Sequence, residues 1–244
     1  MDCRLYHKGV SGLFADCRGL SKGFFTLLVA LLMQSSPASA QNGQEWRDSL
    51  LTLGLAIEKN PHSVELRLRK AAVNLELRQW EYAVEEYGRV LDLDSKNLTA
   101  LYFRAYANTH QRRYALALAD YEQFLTIVPK HFEAQLGLAL VSKKVESKTQ
   151  TMDRFNQLVQ QFPDSALSYA ARAGYEVEQQ MLEPALYDWT EALRLQPDNI
   201  DFLVSKVDVL LAMKRKSEAF LLLQQAIKKG TPRAVLKDWL ERCK

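Results

Sequence analysis

The stretches WEYAVEEYGRVLDLDS (Trp80–Ser95) and YALALADYEQFLTIVP (Tyr114–Pro129) place the same residue classes in the same order, 34 residues apart. Extending that spacing in both directions gives columns that recur without a slip. Pro61, Ser95, Pro129, Pro163 and Pro197 form one; Ala83, Ala117, Thr151, Ala185 and Ala219 a second. Tyr87, Tyr121, Phe155, Trp189 and Leu223 form a third, and Ala71, Ala105, Ala139, Ala173 and Val207 a fourth. Each column has a physical reading. Small residues belong where two helices cross closely, and the bulky column, four residues after the second small one, lies on the same helix face and fills the space between units.

Ser63, Asn97, His131, Ser165 and Asn199 each stand just before an apolar-patterned segment, and four of the five are residue types that cap helix N-termini. The segments predict helices of about 14 residues, each pair ending near the column proline, which cannot continue a helix. Such a hairpin cannot bury its faces alone, whereas stacked copies supply one another's walls.

The period, the paired Ala columns, the following aromatic and the closing proline together resemble the tetratricopeptide repeat, over roughly Gln44 to the last residue. The departures are specific. The family's Gly at the eighth position is Ala or Val, its Trp at the fourth is Arg67, Leu101, Gln135, Tyr169 and Leu203, and the usual turn Gly is absent. The third unit is the weakest match, with Lys148 where Trp80 and Tyr114 stand in earlier copies and Thr151 in the Ala column, so its packing is expected to be looser. The resemblance implies an all-α fold, a right-handed α-solenoid of antiparallel helix pairs. On that reading, residues 41–63 form a lone helix that caps the stack, and five units follow at 64–97, 98–131, 132–165, 166–199 and 200–231. Residues 232–244 then form a closing helix, with Val235, Leu236, Trp239 and Leu240 on one face and charges on the other.

Residues 1–40 read differently. Arg4, Lys8, Arg18 and Lys22 precede the uncharged run Phe24 to Met33, and Ala38-Ser39-Ala40 ends the segment, the pattern of a secretory signal peptide cleaved before Gln41. Ten apolar residues rise only about 15 Å as helix, half of a bilayer's apolar thickness, which disfavours a retained anchor. An exported compartment follows, with the bacterial periplasm the expected one. Two of the three cysteines fall in the leader, leaving Cys243 and no internal disulfide. The remaining 204 residues carry 28 Lys and Arg against 27 Asp and Glu, a net charge that gives no long-range attraction for nucleic acid or anionic lipid.

Residues 41–244 contain no phosphate loop, nucleophile elbow or zinc spacing, and His62, His110 and His131 are too scattered to hold a metal. No catalytic residue, metal ligand or cofactor is expected. The runs Lys214 to Lys216 and Lys228-Lys229 read as an exposed turn and a helix C-terminus, where cations suit the dipole. What remains is a protein-interaction scaffold. In the family, the first helices line the inner face, and the positions that point to ligand correspond here to Leu68, Leu75, Tyr102, Tyr106, His110, Leu136, Leu140, Lys143 and Lys144. Tyr102 and Tyr106, one turn apart, with His110 a turn further, make an aromatic strip for a peptide or partner helix. Leu68, Leu136 and Leu140 read equally as core between helices. The clamp with which some repeats grip acidic chaperone tails is absent, its positions being Leu68, Ala72, Phe103, Glu133 and Gly137. Docking through the outer face and the end caps, as a structural subunit of an envelope assembly, is the alternative.

Overall fold

A computed structural model describes residues 41–244 of the chain; the leader reading lies outside the described residues. The described residues fold into twelve helices and no strand. Helix α1 (Gln41–Lys59) is followed by α2 (Val64–Glu76), α3 (Trp80–Leu93), α4 (Leu98–His110) and α5 (Tyr114–Ile127). Then come α6 (Phe132–Ser142), α7 (Lys148–Gln161), α8 (Ala166–Glu178) and α9 (Leu182–Leu195). The last three are α10 (Ile200–Ala212), α11 (Lys216–Lys228) and α12 (Lys237–Arg242). The chain divides into two compact units between Pro129 and Lys130: the first holds α1 to α5, the second α6 to α12. From α2 onward consecutive helices form antiparallel pairs, α2/α3 through α10/α11, with α12 packed against α10 and α11. No described helix is long and apolar enough to cross a membrane.

The cap column starts every first helix. The Leu66 N–H donates to Ser63 Oγ at 3.3 Å, Ala100 to Asn97 Oδ1 at 3.0 Å and Phe202 to Asn199 Oδ1 at 3.1 Å. His131, the one residue type not expected to cap, does so, accepting the Ala134 N–H on Nδ1 at 3.2 Å. That nitrogen must be unprotonated to accept, and burial lowers the His131 pKa, against the pull of Glu133. Ser165 makes no side-chain cap bond, although its residue type predicts one. The second helices, by contrast, start without side-chain caps except α7, where Ser147 and Gln150 form a reciprocal capping box.

The two small-residue columns and the bulky column are the core: every member is at most 5% exposed. Ala71, Ala83, Tyr87 and Val90 pack in one cluster with Leu68, Ala100 and Ala107. Ala173, Ala185, Trp189, Phe202 and Val209 form another, and Val207, Ala219, Leu223, Leu236 and Leu240 a third. The first two clusters draw residues from a helix pair and from the next pair's first helix, and the third from α10, α11 and the closing segment with Leu236 and Leu240. Burial of one large column residue, about 3–5 kcal/mol against Ala, therefore depends on the adjacent element being folded.

The turn inside four of the pairs carries a non-glycine residue in the left-handed region: Arg78 (φ 54°), Arg112 (60°), Gln180 (62°) and Lys214 (62°). In each, the N–H of the left-handed residue bonds three residues back and the next N–H reaches five back, as in Arg78 to Leu75 O (2.9 Å) and Gln79 to Asn74 O (2.8 Å). These are the positions of the missing turn glycine, held at roughly 1–2 kcal/mol of backbone cost each. The α6/α7 pair departs from this turn. Helix α6 has 11 residues, where the other first helices have 13, and its connection has no left-handed residue. Thr151 takes the Ala place there with its hydroxyl buried and unpartnered. These are physical marks of the weaker third copy.

A further column runs through the pairs. Lys70, Arg104, Arg172 and Lys206 recur at the same register on first helices, and Glu86, Asp120 and Asp188 on second helices. Lys70 Nζ meets Glu86 at 2.8 Å, and Arg67 Nη1 reaches the same carboxylate at 3.0 Å. Arg104 grips Asp120 with two bonds of 2.9 and 2.6 Å, and Arg172 grips Asp188 with two of 2.6 and 2.8 Å. The acids are nearly inaccessible, so each pair ties its two helices through charge-assisted bonds at a site water scarcely reaches. The register lapses at Leu138, where Arg154 replaces the acid and turns to Glu146 at 2.9 Å. It lapses again at Lys206, which lacks its acid and whose pKa burial lowers.

Candidate functional site

The nine positions implied by the resemblance fall in both units, and each set stands by itself. In the first unit, α2 and α4 lie side by side. Leu68 is 7% exposed and belongs to the core cluster, so it offers no surface to a partner; the core reading of this leucine is the one realised. Leu75 is half-buried against the same cluster.

Tyr102, Tyr106 and His110 do follow one another along α4, but they are not a bare strip. The Tyr102 ring packs edge-on against Phe103 (5.2 Å between centroids) and Tyr121 (5.9 Å), and tilted against Phe124 (5.9 Å). It is therefore part of the α4/α5 packing. Tyr106 and His110 instead turn to Trp80, the first residue of α3. The imidazole stacks on the indole at 4.2 Å and 7°, while the Tyr106 ring meets the indole at 6.1 Å and the imidazole at 4.6 Å, both edge-on. The three rings make one aromatic platform, with His110 exposed and the other two half-buried. Burial raises the Tyr106 hydroxyl pKa, with Arg78 opposing and Glu76 adding, and burial also raises the Glu76 carboxyl. The Tyr106 hydroxyl thus keeps its proton, with Arg78 and Glu76 at its margin.

Trp80 was not among the sequence-expected positions. Its column, Trp80, Tyr114, Lys148, Leu182 and Lys216, opens each second helix, and Trp46 of α1 stands in the same register. Only the packing shows that Trp80 lies under the end of the following first helix.

In the second unit, Leu136 and Leu140 are half-buried, Leu140 against the cluster of Ala139, Phe155 and Tyr175. Lys143 is bound on two sides: its Nζ pairs with Glu178 at 2.5 Å and stands 5.8 Å above the Tyr175 ring. Tyr175 is itself stacked on Phe155 at 5.1 Å. Lys144 is exposed. This set forms a braced surface with one exposed cation, less suited to an apolar anchor than the platform of the first unit. No group of three or more side chains able to hold a metal occurs among the described residues.

No family model matches the chain. The chain is 26% identical over 166 residues to the DnaJ homolog subfamily C member 7 homolog of Dictyostelium discoideum. It is 35% identical over 97 residues to the DnaJ homolog subfamily C member 3 homolog of the same organism. These alignments take in 62% and 37% of this chain but 31% and 19% of the relatives, so the chain spans a third or less of their length. Among solved structures, it is similar to a tetratricopeptide repeat protein from Parabacteroides merdae (TM-score 0.58, 21% identity, covering 83% of this chain and 79% of that one). It is also similar to YrrB, a tetratricopeptide repeat protein with an unusual peptide-binding site (TM-score 0.55, 19% identity, 72% and 91%). A third is PilF of Pseudomonas aeruginosa (TM-score 0.59, 19% identity, 79% and 88%). The antiparallel helix pairs of this chain are those of the tetratricopeptide repeat fold.

Proposed function

We propose that the protein is a non-catalytic scaffold that captures a peptide or a partner helix on the first-helix face of its first unit, in an exported compartment. The carrying observation is the platform of Trp80, Tyr106 and His110, three rings already ordered against one another before any partner arrives. Rings held in this way lose little freedom on binding, so most of the apolar contact they make counts toward affinity. The neighbouring Leu75 extends the apolar surface. Similarity in fold to a tetratricopeptide repeat protein with a peptide-binding site supports the reading. The leader sequence of residues 1–40 supports export, with the bacterial periplasm as the compartment.

A second reading has its own observation. Large apolar side chains stand out on the second helices and α1: Leu51 is 71% exposed, Tyr82 60% and Leu116 56%. On that reading the outer surface docks into an assembly, and the platform stays empty.

Peptides selected against the full chain from a displayed helical library separate the two. On the first reading His110→Ala weakens the selected peptides about tenfold or more while costing the fold only about 1 kcal/mol, the loss of its ring contacts with Trp80 and Tyr106, since His110 is exposed. Peptides that ignore that substitution but are lost with Tyr82→Ser and Leu116→Ser would transfer the function to the outer face. Tyr102→Ala is not a clean probe: it removes contacts to three rings and lowers stability by about 2 kcal/mol.

A further inference from the structure

The near-zero net charge of residues 41–244 hides a segregation. Residues 206–244 hold ten Lys and Arg against four Asp and Glu, whereas residues 41–205 hold 18 against 23. The fold gathers this excess around α12. Lys214 lies in the turn before α11, Lys216 is the first residue of α11, and Lys228 and Lys229 are its last residue and its C-cap. Burial raises the Cys243 thiol pKa, and Lys216 and Arg242 oppose that rise. Helix α12 packs on α10 and α11, and Cys243, just past its end, lies against the cluster that holds Ala219 and Leu223 of α11. Arg233 and Lys237 lead into α12 and Lys244 follows it; with Glu241 these three border a shallow depression floored by Ala234 and Leu240.

All seven of these cations (Lys214, Lys216, Lys228, Lys229, Arg233, Lys237 and Lys244) are exposed, and none makes an ion pair among the described residues. Nearby basic residues that do serve the fold are paired instead, Arg215 with Glu218 and Arg242 with Asp208, each at 2.6 Å. Helix dipoles account for Lys228 and Lys229, which complement the carboxyl end of α11. They do not account for Arg233 and Lys237, which stand before and at the amino end of α12, where an acidic residue is favoured.

We infer that the α12 face docks on an anionic phospholipid surface. Six of the seven cations are Lys, compact charges on mobile stems that suit a field of laterally mobile phosphates. A fixed carboxylate partner is better matched by the planar fork of Arg, of which this face has only Arg233 unpaired. Exposed Val235, between Arg233 and Lys237, adds an apolar contact at the headgroup level. The attraction is local, so it coexists with a net charge near zero.

The test is co-sedimentation of the full chain with vesicles of phosphatidylcholine alone or with about 30% phosphatidylserine. Each cation near such a surface contributes about a fivefold factor, so Arg233→Gln, Lys237→Gln and Lys244→Gln together lower partition onto the phosphatidylserine vesicles about 100-fold. Added salt weakens wild-type binding in parallel. A control with the same loss of charge, Arg69→Gln, Lys96→Gln and Lys130→Gln, three exposed cations elsewhere, stays near wild type. Equal losses in the two triple variants, or equal wild-type binding to both vesicle types, would overturn the inference. So would tighter, α12-dependent binding of poly-glutamate than of the vesicles at the same ionic strength, which would assign the face to an acidic protein.

Discussion

Glu176 makes the second unit sensitive to pH, and the size of the effect can be worked from its surroundings. The side chain is 5% exposed on α8, and its Oε2 has no hydrogen-bond partner. Arg172 is the cation at hand, yet its Nε and Nη2 go to Asp188 and its Nη1 donates to Asn156 at 3.0 Å, leaving Glu176 at 4.0 Å. Burial and the Asp188 carboxylate, against the pull of Arg172, raise the Glu176 pKa from an ordinary 4.5 to about 7. Two repeats earlier the same register holds Asn108, whose Nδ2 donates to Asp120 at 3.4 Å. Glu176 in its neutral form is the counterpart of that amide, a donor facing Asp188.

The sign follows from proton counting. Between about pH 4.5 and 7 the folded state binds more protons than the unfolded state, so stability falls as pH rises through that window. At about 1.4 kcal/mol for each pH unit of displacement, about 3 kcal/mol is lost by pH 8. Glu176→Gln keeps the shape and the donor but cannot ionise. Urea unfolding of the full chain should find the variant within about 1 kcal/mol of wild type at pH 5 and more stable by about 3 kcal/mol at pH 8. His131 titrates in the opposite sense, its neutral cap being lost as pH falls, but it is common to both proteins and cancels in the difference. Parallel pH profiles for the two would refute the reasoning, since Glu176 would then be ionised throughout.

Three further outcomes are expected. Thr151→Val should raise stability by about 1–2 kcal/mol, seen as a higher urea midpoint at constant slope, because it removes a buried, unpartnered hydroxyl without opening a cavity. Gln180→Gly and Lys214→Gly should each stabilise by about 0.5–1 kcal/mol in the same assay, the relief of a left-handed backbone exceeding the added chain entropy. Asp120→Ala should cost about 3 kcal/mol by leaving Arg104 unpaired between two helices, whereas Arg104→Met with Asp120→Leu should recover most of that loss.

The repeat was legible because it is written in residue size. A position that must let two backbones cross admits Ala and little else, and a position that must fill the adjoining space admits a ring or Leu, so the period survives in the sequence wherever packing is tight. Cap chemistry was legible for the same reason at Ser63, Asn97 and Asn199, where a short side chain must reach its own backbone. His131 shows the limit: what the position requires is an acceptor atom, and burial keeps the imidazole able to supply one. The ion-pair register from Lys70 to Lys206 stands in the same columns but is not legible there as a buried one, since a charged residue on a helix is by default solvated. Only neighbouring helices can bury it.

The sequence alone determined the period, the helix pairs and the residues that face their neighbours, because all of these follow from local geometry repeated every 34 positions. The tertiary structure decided what the surface offers. Leu68 went to the core, Tyr102 to its own hairpin, and Tyr106 and His110 to Trp80, 26 and 30 residues away in the chain. Whether a side chain on a helix face meets water or another ring depends on which helix lies beside it. That is a property of how the copies stack, and no single copy contains it.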